Sequence, residues 1–227
     1  MLNLKKTYSP IHLFTYSPRG GFTIIEVVVV FLIILGVTFF MLPKSLDNTK
    51  QARFISKWTQ TYSEMEYMFS VIKTQQGSEI EKEFNNSKDI NINNCVIPEL
   101  FKPYLRITSD LKNPKYNQSY MNMIPVTIGE HYYFSQYYLN DAKEIISLKW
   151  TTKNCKDNLL CAVMAFDVNG EDPPNTWGYD VFGINVFKDR IEPIGKNMDP
   201  NIIKNDCSKN GLGIYCSYYY LIGGRFD

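Results

Sequence analysis

Histidine is nearly absent: only His12 and His131 occur among the 227 residues. That leaves little room for an imidazole base or a His-rich metal site. Net charge is also lacking, since 24 basic and 23 acidic residues leave +1. There is no electrostatic case for nucleic acid as the main partner, and no specific nucleic-acid contact is expected. No Walker A loop, GxGxxG turn or GxSxG elbow occurs. Gly211-Leu212-Gly213 comes nearest to the second and lacks a third glycine at the required spacing. Long apolar runs are missing with one exception, and the mean hydropathy of −0.23 excludes a multi-spanning membrane protein. What is present is ordinary globular composition. Apolar residues make up 44% and charged residues 21%, which excludes wholesale disorder. The length suits one domain with a short appendage. Aromatics reach 15%, with 16 Tyr and 14 Phe, a bias toward strands in part of the chain.

The exceptional run covers residues 22–42, FTIIEVVVVFLIILGVTFFML, and holds one charge, Glu26. At ~1.5 Å per residue it spans ~31 Å as a helix, the thickness of a bilayer's hydrocarbon core. A cleavable secretory signal would be shorter and would end in a small-residue site, but Leu42-Pro43-Lys44 follows here. A plain anchor explains length and hydropathy and leaves Glu26 without a reason. An acid within a membrane costs roughly 2.5–3.5 kcal/mol near a helix centre, so it marks a functional site by default. The preceding residues carry Lys5, Lys6 and Arg19 and no acid, which keeps that side in the cytoplasm.

The junction Arg19-Gly20-Gly21-Phe22-Thr23-Ile24-Ile25-Glu26 resembles the class III signal of type IV pilins and type II secretion pseudopilins. The resemblance covers about 25 residues. It implies that a prepilin peptidase cuts after Gly21 and frees, then methylates, Phe22. Residues 1–21 are then a cytoplasmic leader that is removed. Glu26 becomes the fifth residue and Pro43 the twenty-second, where many pilins also have proline; both are implied in assembly. Phe39-Phe40 departs from the small residues many pilins have there, and implies different subunit packing. The physical logic does not need the family. A new amine on Phe22 and a carboxylate four residues on lie on one helix face. In low dielectric an unpaired Glu26 is strongly disfavoured, and an amine of the same or a neighbouring subunit relieves it. Glu26 would then act as a register device between subunits; the plain alternative is a carboxylate that snorkels to the headgroups.

Beyond the run, Phe54, Ile55, Trp58, Tyr62, Met65, Met68, Phe69 and Ile72 recur at steps of three and four. This predicts one helix over 22–77, with 22–42 transmembrane, a kink at Pro43 and an end at Gly77-Ser78. Such a helix has roughly 55 residues and a length of ~80 Å. Residues 78–227 read as a globular α+β head. Its first part is Asn-rich and irregular, with a short helix near 98–104. Strands are expected at 126–129, 131–138, 145–151, 160–168, 181–187, 191–194 and 214–222. The expected fold class is α+β: an antiparallel sheet of about four to six strands on the long helix. That matches the architecture the pilin resemblance implies.

The five cysteines, Cys95, Cys155, Cys161, Cys207 and Cys216, all follow the span, on the side where disulfides persist. Short local loops, Cys155 with Cys161 and Cys207 with Cys216, are the simplest pairing. Spacing alone does not fix connectivity, and Cys95 is left over under the local scheme. Zinc is disfavoured, because no CxxC spacing exists.

The stretch 167–182, DVNGEDPPNTWGYDVF, joins two apolar strands and resembles D-x-N-G stretches of pilin-like proteins. Asp167, Asn169, Asp172 and Asp180 supply hard oxygens that suit calcium, although glycine is fourth rather than sixth, so this is no EF-hand. The competing reading is a hairpin in which Asp and Asn cap turns. No other cofactor is expected. The runs Tyr132-Tyr133-Phe134 and Tyr218-Tyr219-Tyr220 suit core packing better than a sugar or single-stranded DNA surface.

The expected function is therefore that of a structural subunit, a minor pilin or pseudopilin, and not an enzyme. Expected partners are the prepilin peptidase, other pilin subunits of the same or another kind, the inner-membrane assembly platform and the bilayer. The expected place is the bacterial inner membrane, single-pass with the head on the non-cytoplasmic side, and then a filament. Loss of Lys5, Lys6 and Arg19 would take the charge from +1 to −2. The alternative is an anchored ectodomain that binds a ligand or surface and never polymerises.

Overall fold

The computed structural model describes residues 23–86, 97–111, 118–127, 130–152 and 155–225, with backbone alone at 40–48, 76 and 78–86. It divides into a first unit, Met1–Leu46, and a second, Asp47–Asp227.

Helix α1 runs Ile24–Asn86, 63 residues. Its helical backbone continues through Pro43 and through Gly77-Ser78, where the glycine was expected to end it. Among the described residues of the first unit the apolar side chains are exposed on every face of the helix, between 47% at Val29 and 86% at Ile24. Among the described residues no helix is long and apolar enough to cross a membrane.

In the second unit α1 turns one stripe inward. Trp58, Met65, Met68, Phe69 and Ile72 are buried at steps of three and four, as the periodicity predicts. They pack on an antiparallel sheet of strands in chain order, β1 Ile107–Leu111, β2 Tyr137–Asn140, β3 Ile145–Trp150, β4 Ala162–Asp167, β5 Val181–Val186 and β6 Ile191–Pro193. The fold class is thus α+β, with six strands among the described residues, the upper end of the expected number.

Register decides which face each side chain takes. Ile146 pairs with Phe166, and Phe166 with Phe182, so these meet the helix layer. The residues between them, Ile145, Val163, Ala165 and Val181, join a second core with Phe134, Trp177, Ile194 and Ile214 on the opposite face. Both faces are covered, which is why β4 is buried at all six positions and reads as an apolar run up to its last residue, Asp167. Trp58 is the centre of the first core. It is wholly buried, stacks on Phe182 at 5.2 Å, and donates from Nε1 to the Ser217 carbonyl at 2.8 Å.

Several expected elements differ. Residues 98–104 form successive turns rather than a helix, and β1 arises in the stretch expected to be irregular. The predicted strand 131–138 survives only from Tyr137. Before it Glu130 organises a bend, accepting from Tyr120 Oη at 2.6 Å and Thr127 Oγ1 at 2.8 Å. The described residues of 126–129 belong to no strand, although Val126 N donates to the Gln118 carbonyl. The stretch 214–222 is no strand either. It contains helix α3, Cys216–Tyr219, and buries Ile214, Ser217 and Tyr220 at a helical step of three. Tyrosine-rich sequence favoured a strand, but the Cys207–Cys216 bond and the Ser217 contacts win. Helix α2, Pro200–Asp206, was also not expected. Its signal is Asp199-Pro200, an N-cap whose side chain accepts from Asn201 N, followed by proline in the first turn.

Candidate functional site

Of the predicted processing and assembly residues, Gly21 and Phe22 lie outside the described residues, as does Cys95. Pro43 lies within α1. Glu26 is in the first turn of α1 and closes a reciprocal cap. Thr23 N and Oγ1 donate to Glu26 Oε2 at 2.9 and 3.0 Å, and Glu26 N donates to Thr23 Oγ1 at 3.4 Å. This is a capping box. The pattern Thr23-Ile24-Ile25-Glu26 is its sequence signal, and it gives Glu26 a local role that the membrane argument does not need.

Both local disulfides form, Cys155–Cys161 and Cys207–Cys216. All four cysteines are buried. The second bond shapes the surroundings of the connection between β4 and β5: a Cβ on Gly178, whose φ is +79°, would meet Cys216 Sγ and the Gly213 backbone. Only glycine fits there.

That connection, between Asp167 and Val181, holds the four proposed calcium ligands. The structure gives them to turns. Asp167 Oδ1 accepts from Asn169 N at 3.1 Å, and Asn169 Nδ2 donates to the Asp172 carbonyl at 2.8 Å. Asp180 Oδ1 and Oδ2 accept from Thr176 N and Asn175 N at 2.6 and 3.0 Å. In the amide orientation that satisfies its neighbours, Asn175 Nδ2 donates to the Asp172 carbonyl and to Asp167 Oδ2. Asp180 is buried and Asp172 exposed. Among the described residues no group of three or more His, Cys, Asp or Glu side chains is placed to hold a metal ion. Burial pushes the Asp180 carboxyl up to about 6, against the pull of the Thr176 and Asn175 amides.

A cleft of about 960 Å³ opens beside this connection in the second unit. One wall is α1, which contributes Lys50, Arg53 and Lys57. Their spacing of three and four puts them on one stripe, a legible signal in the sequence. The facing wall carries Asp172 and Tyr179 from the β4–β5 connection, and Lys143 from the turn between β2 and β3. No sequence signal joins Lys143 to the others; packing does. Gly170, with φ +77°, lies so close to the Lys143 carbonyl that any Cβ would collide with it. The same turn is tied to α1, because Glu144 accepts from Thr61 Oγ1 at 2.9 Å and from Asn140 Nδ2 at 2.9 Å. Lys57 Nζ donates to the Val168 carbonyl at 2.7 Å and joins the two walls.

Among known proteins the chain matches no family model, no curated protein and no solved structure.

Proposed function

We propose that the chain is a structural subunit of a type IV pilus or a type II secretion-like filament, a minor pilin or pseudopilin. The observation that carries the reading is the double use of α1. Its first stretch exposes apolar side chains all round, and its second supplies the buried stripe of an antiparallel α+β unit. A helix apolar on all sides needs lipid or neighbouring helices to cover it. The Gly21-Phe22 junction with Glu26 four residues on supplies the expected processing site.

In this reading residues 22–42 anchor the precursor in the bilayer and later pack against the same segments of other subunits. Cutting after Gly21 places a free amine next to Thr23, the residue that caps Glu26 in the described chain. The carboxylate can then exchange its local donors for the amine of a neighbour, which fixes axial register.

The test is the intact mass and N-terminal sequence of the protein taken from native membranes. A start at Phe22, with or without an added methyl, supports the reading. A retained Met1 overturns it and leaves an anchored ectodomain. Glu26→Ala should insert and be processed yet enter filaments poorly, and normal incorporation would remove the register role.

A further inference from the structure

We propose that the cleft between α1 and the β4–β5 connection binds the phosphate group of an organic phosphate ester of net negative charge. Four cations, Lys50, Arg53, Lys57 and Lys143, line it against one carboxylate, Asp172. Among the described residues Lys50, Arg53 and Lys143 form no ion pair, although other cations of the unit, such as Arg106 and Arg190, do. Like charges one turn apart repel by a few tenths of a kcal/mol, and an anion between them relieves that repulsion. The excess of positive charge is larger than one carboxylate balances and suits a phosphate. Arg53 offers the planar fork and the lysines the point charges that phosphate recognition uses.

The volume leaves room for more than the phosphate. Phe54 and Tyr179, in edge contact at 5.8 Å, give that remainder an apolar wall. The cleft is also preformed. Lys57 is held on the Val168 carbonyl, and Gly170 presses against the Lys143 backbone. The ordering lost on binding is therefore confined to the exposed Lys50, Arg53 and Lys143 side chains. The inference stands whether or not the chain polymerises. The ester could come from an anionic lipid headgroup or from a soluble metabolite, and the two share the same chemistry.

The experiment uses the full chain in neutral detergent micelles at about 0.15 M salt. Calorimetric titrations compare glycerol phosphate, dihexanoyl phosphatidylglycerol and, as the zwitterionic control, dihexanoyl phosphatidylcholine. Both anionic ligands should bind and the control should not. Lys50→Gln/Arg53→Gln/Lys143→Gln should weaken binding about tenfold or more, with the unfolding midpoint unchanged. Phosphatidylglycerol tighter than glycerol phosphate by about tenfold assigns the site to a headgroup, and comparable affinities assign it to a soluble ester. The proposal is overturned if neither anion binds, if phosphatidylcholine binds equally, or if the triple variant binds as the parent does. Should the triple variant fail to fold, Lys143→Gln alone, in an exposed turn, should still weaken binding about two- to threefold. No change there also overturns it.

Discussion

Val27, Val28 and Ile33 in the first unit are 53, 48 and 60% exposed, whereas Val163, Val181 and Ile184 in the second are wholly buried. The residue types are the same and their surroundings are opposite. In the second unit the buried apolar side chains gather in two cores, one between helix and sheet and one on the sheet's other face. In the first, apolar side chains surround a single helix, and no fold of that segment alone covers them. One helix therefore carries exposed apolar side chains in its first part and a buried apolar stripe in its second.

That contrast can be broken most easily at Trp58. Trp58→Ala removes the centre of the first core and orphans the Ser217 carbonyl. It should cost about 3–5 kcal/mol in denaturant unfolding of the full chain in detergent. A loss below about 1 kcal/mol would mean that α1 is not integral to the second unit. Replacing Cys207 and Cys216 together by serine should cost about 2–3 kcal/mol, the loop-closure effect of a nine-residue separation. Thermal unfolding with and without reductant checks it, and no difference would show that the buried loop holds without its bond.

A smaller effect concerns pH. The folded Asp180 carboxyl titrates near 6, above the 3.8 of the free side chain. A raised folded value means that the folded state binds the proton more readily. This contribution to stability is therefore fully present below about 3.8 and is lost as pH rises through 6. From pH 7 to pH 5 the parent should gain about 1 kcal/mol over Asp180→Asn, which does not titrate. The difference between the two proteins is the quantity to measure, because His131, held below its ordinary value by burial and by Lys149, works in the opposite sense. A gap that stays constant with pH would place water next to Asp180. The smallest expected effect is the most informative for the contrast. Ile33→Ala in the first unit should shift unfolding of the second by no more than about 0.5 kcal/mol. A larger shift, read from the near-ultraviolet signal of the buried tryptophans, would show that the two units stabilise each other.

Period-based reading found α1, β3, β4, β5 and β6, because their apolar positions repeat at the period of the backbone they adopt. It failed where side chains redirect the chain. Glu130 bends the segment that aromatic content marked as strand. Cys207–Cys216 and Ser217 hold 214–222 in a helical turn. Local pairing of the cysteines was the simplest expectation because short loops close readily. Turn capping by Asp167, Asn169 and Asp180 was visible as chemistry, but which backbone groups they bond was not.

What the sequence determined by itself is what depends on neighbours along the chain: the apolar run, the Gly21-Phe22 junction, the Thr23–Glu26 cap and the cation stripe at 50, 53 and 57. Tertiary structure decided what depends on distant residues meeting. Lys143 joins that stripe only because Gly170 admits its backbone, and Asp180 becomes a buried, proton-binding carboxyl only because the connection folds over it. Short-range order follows from local sterics and hydrogen bonds. The charge of a cleft and the solvation of an acid follow from packing, which no window of sequence contains.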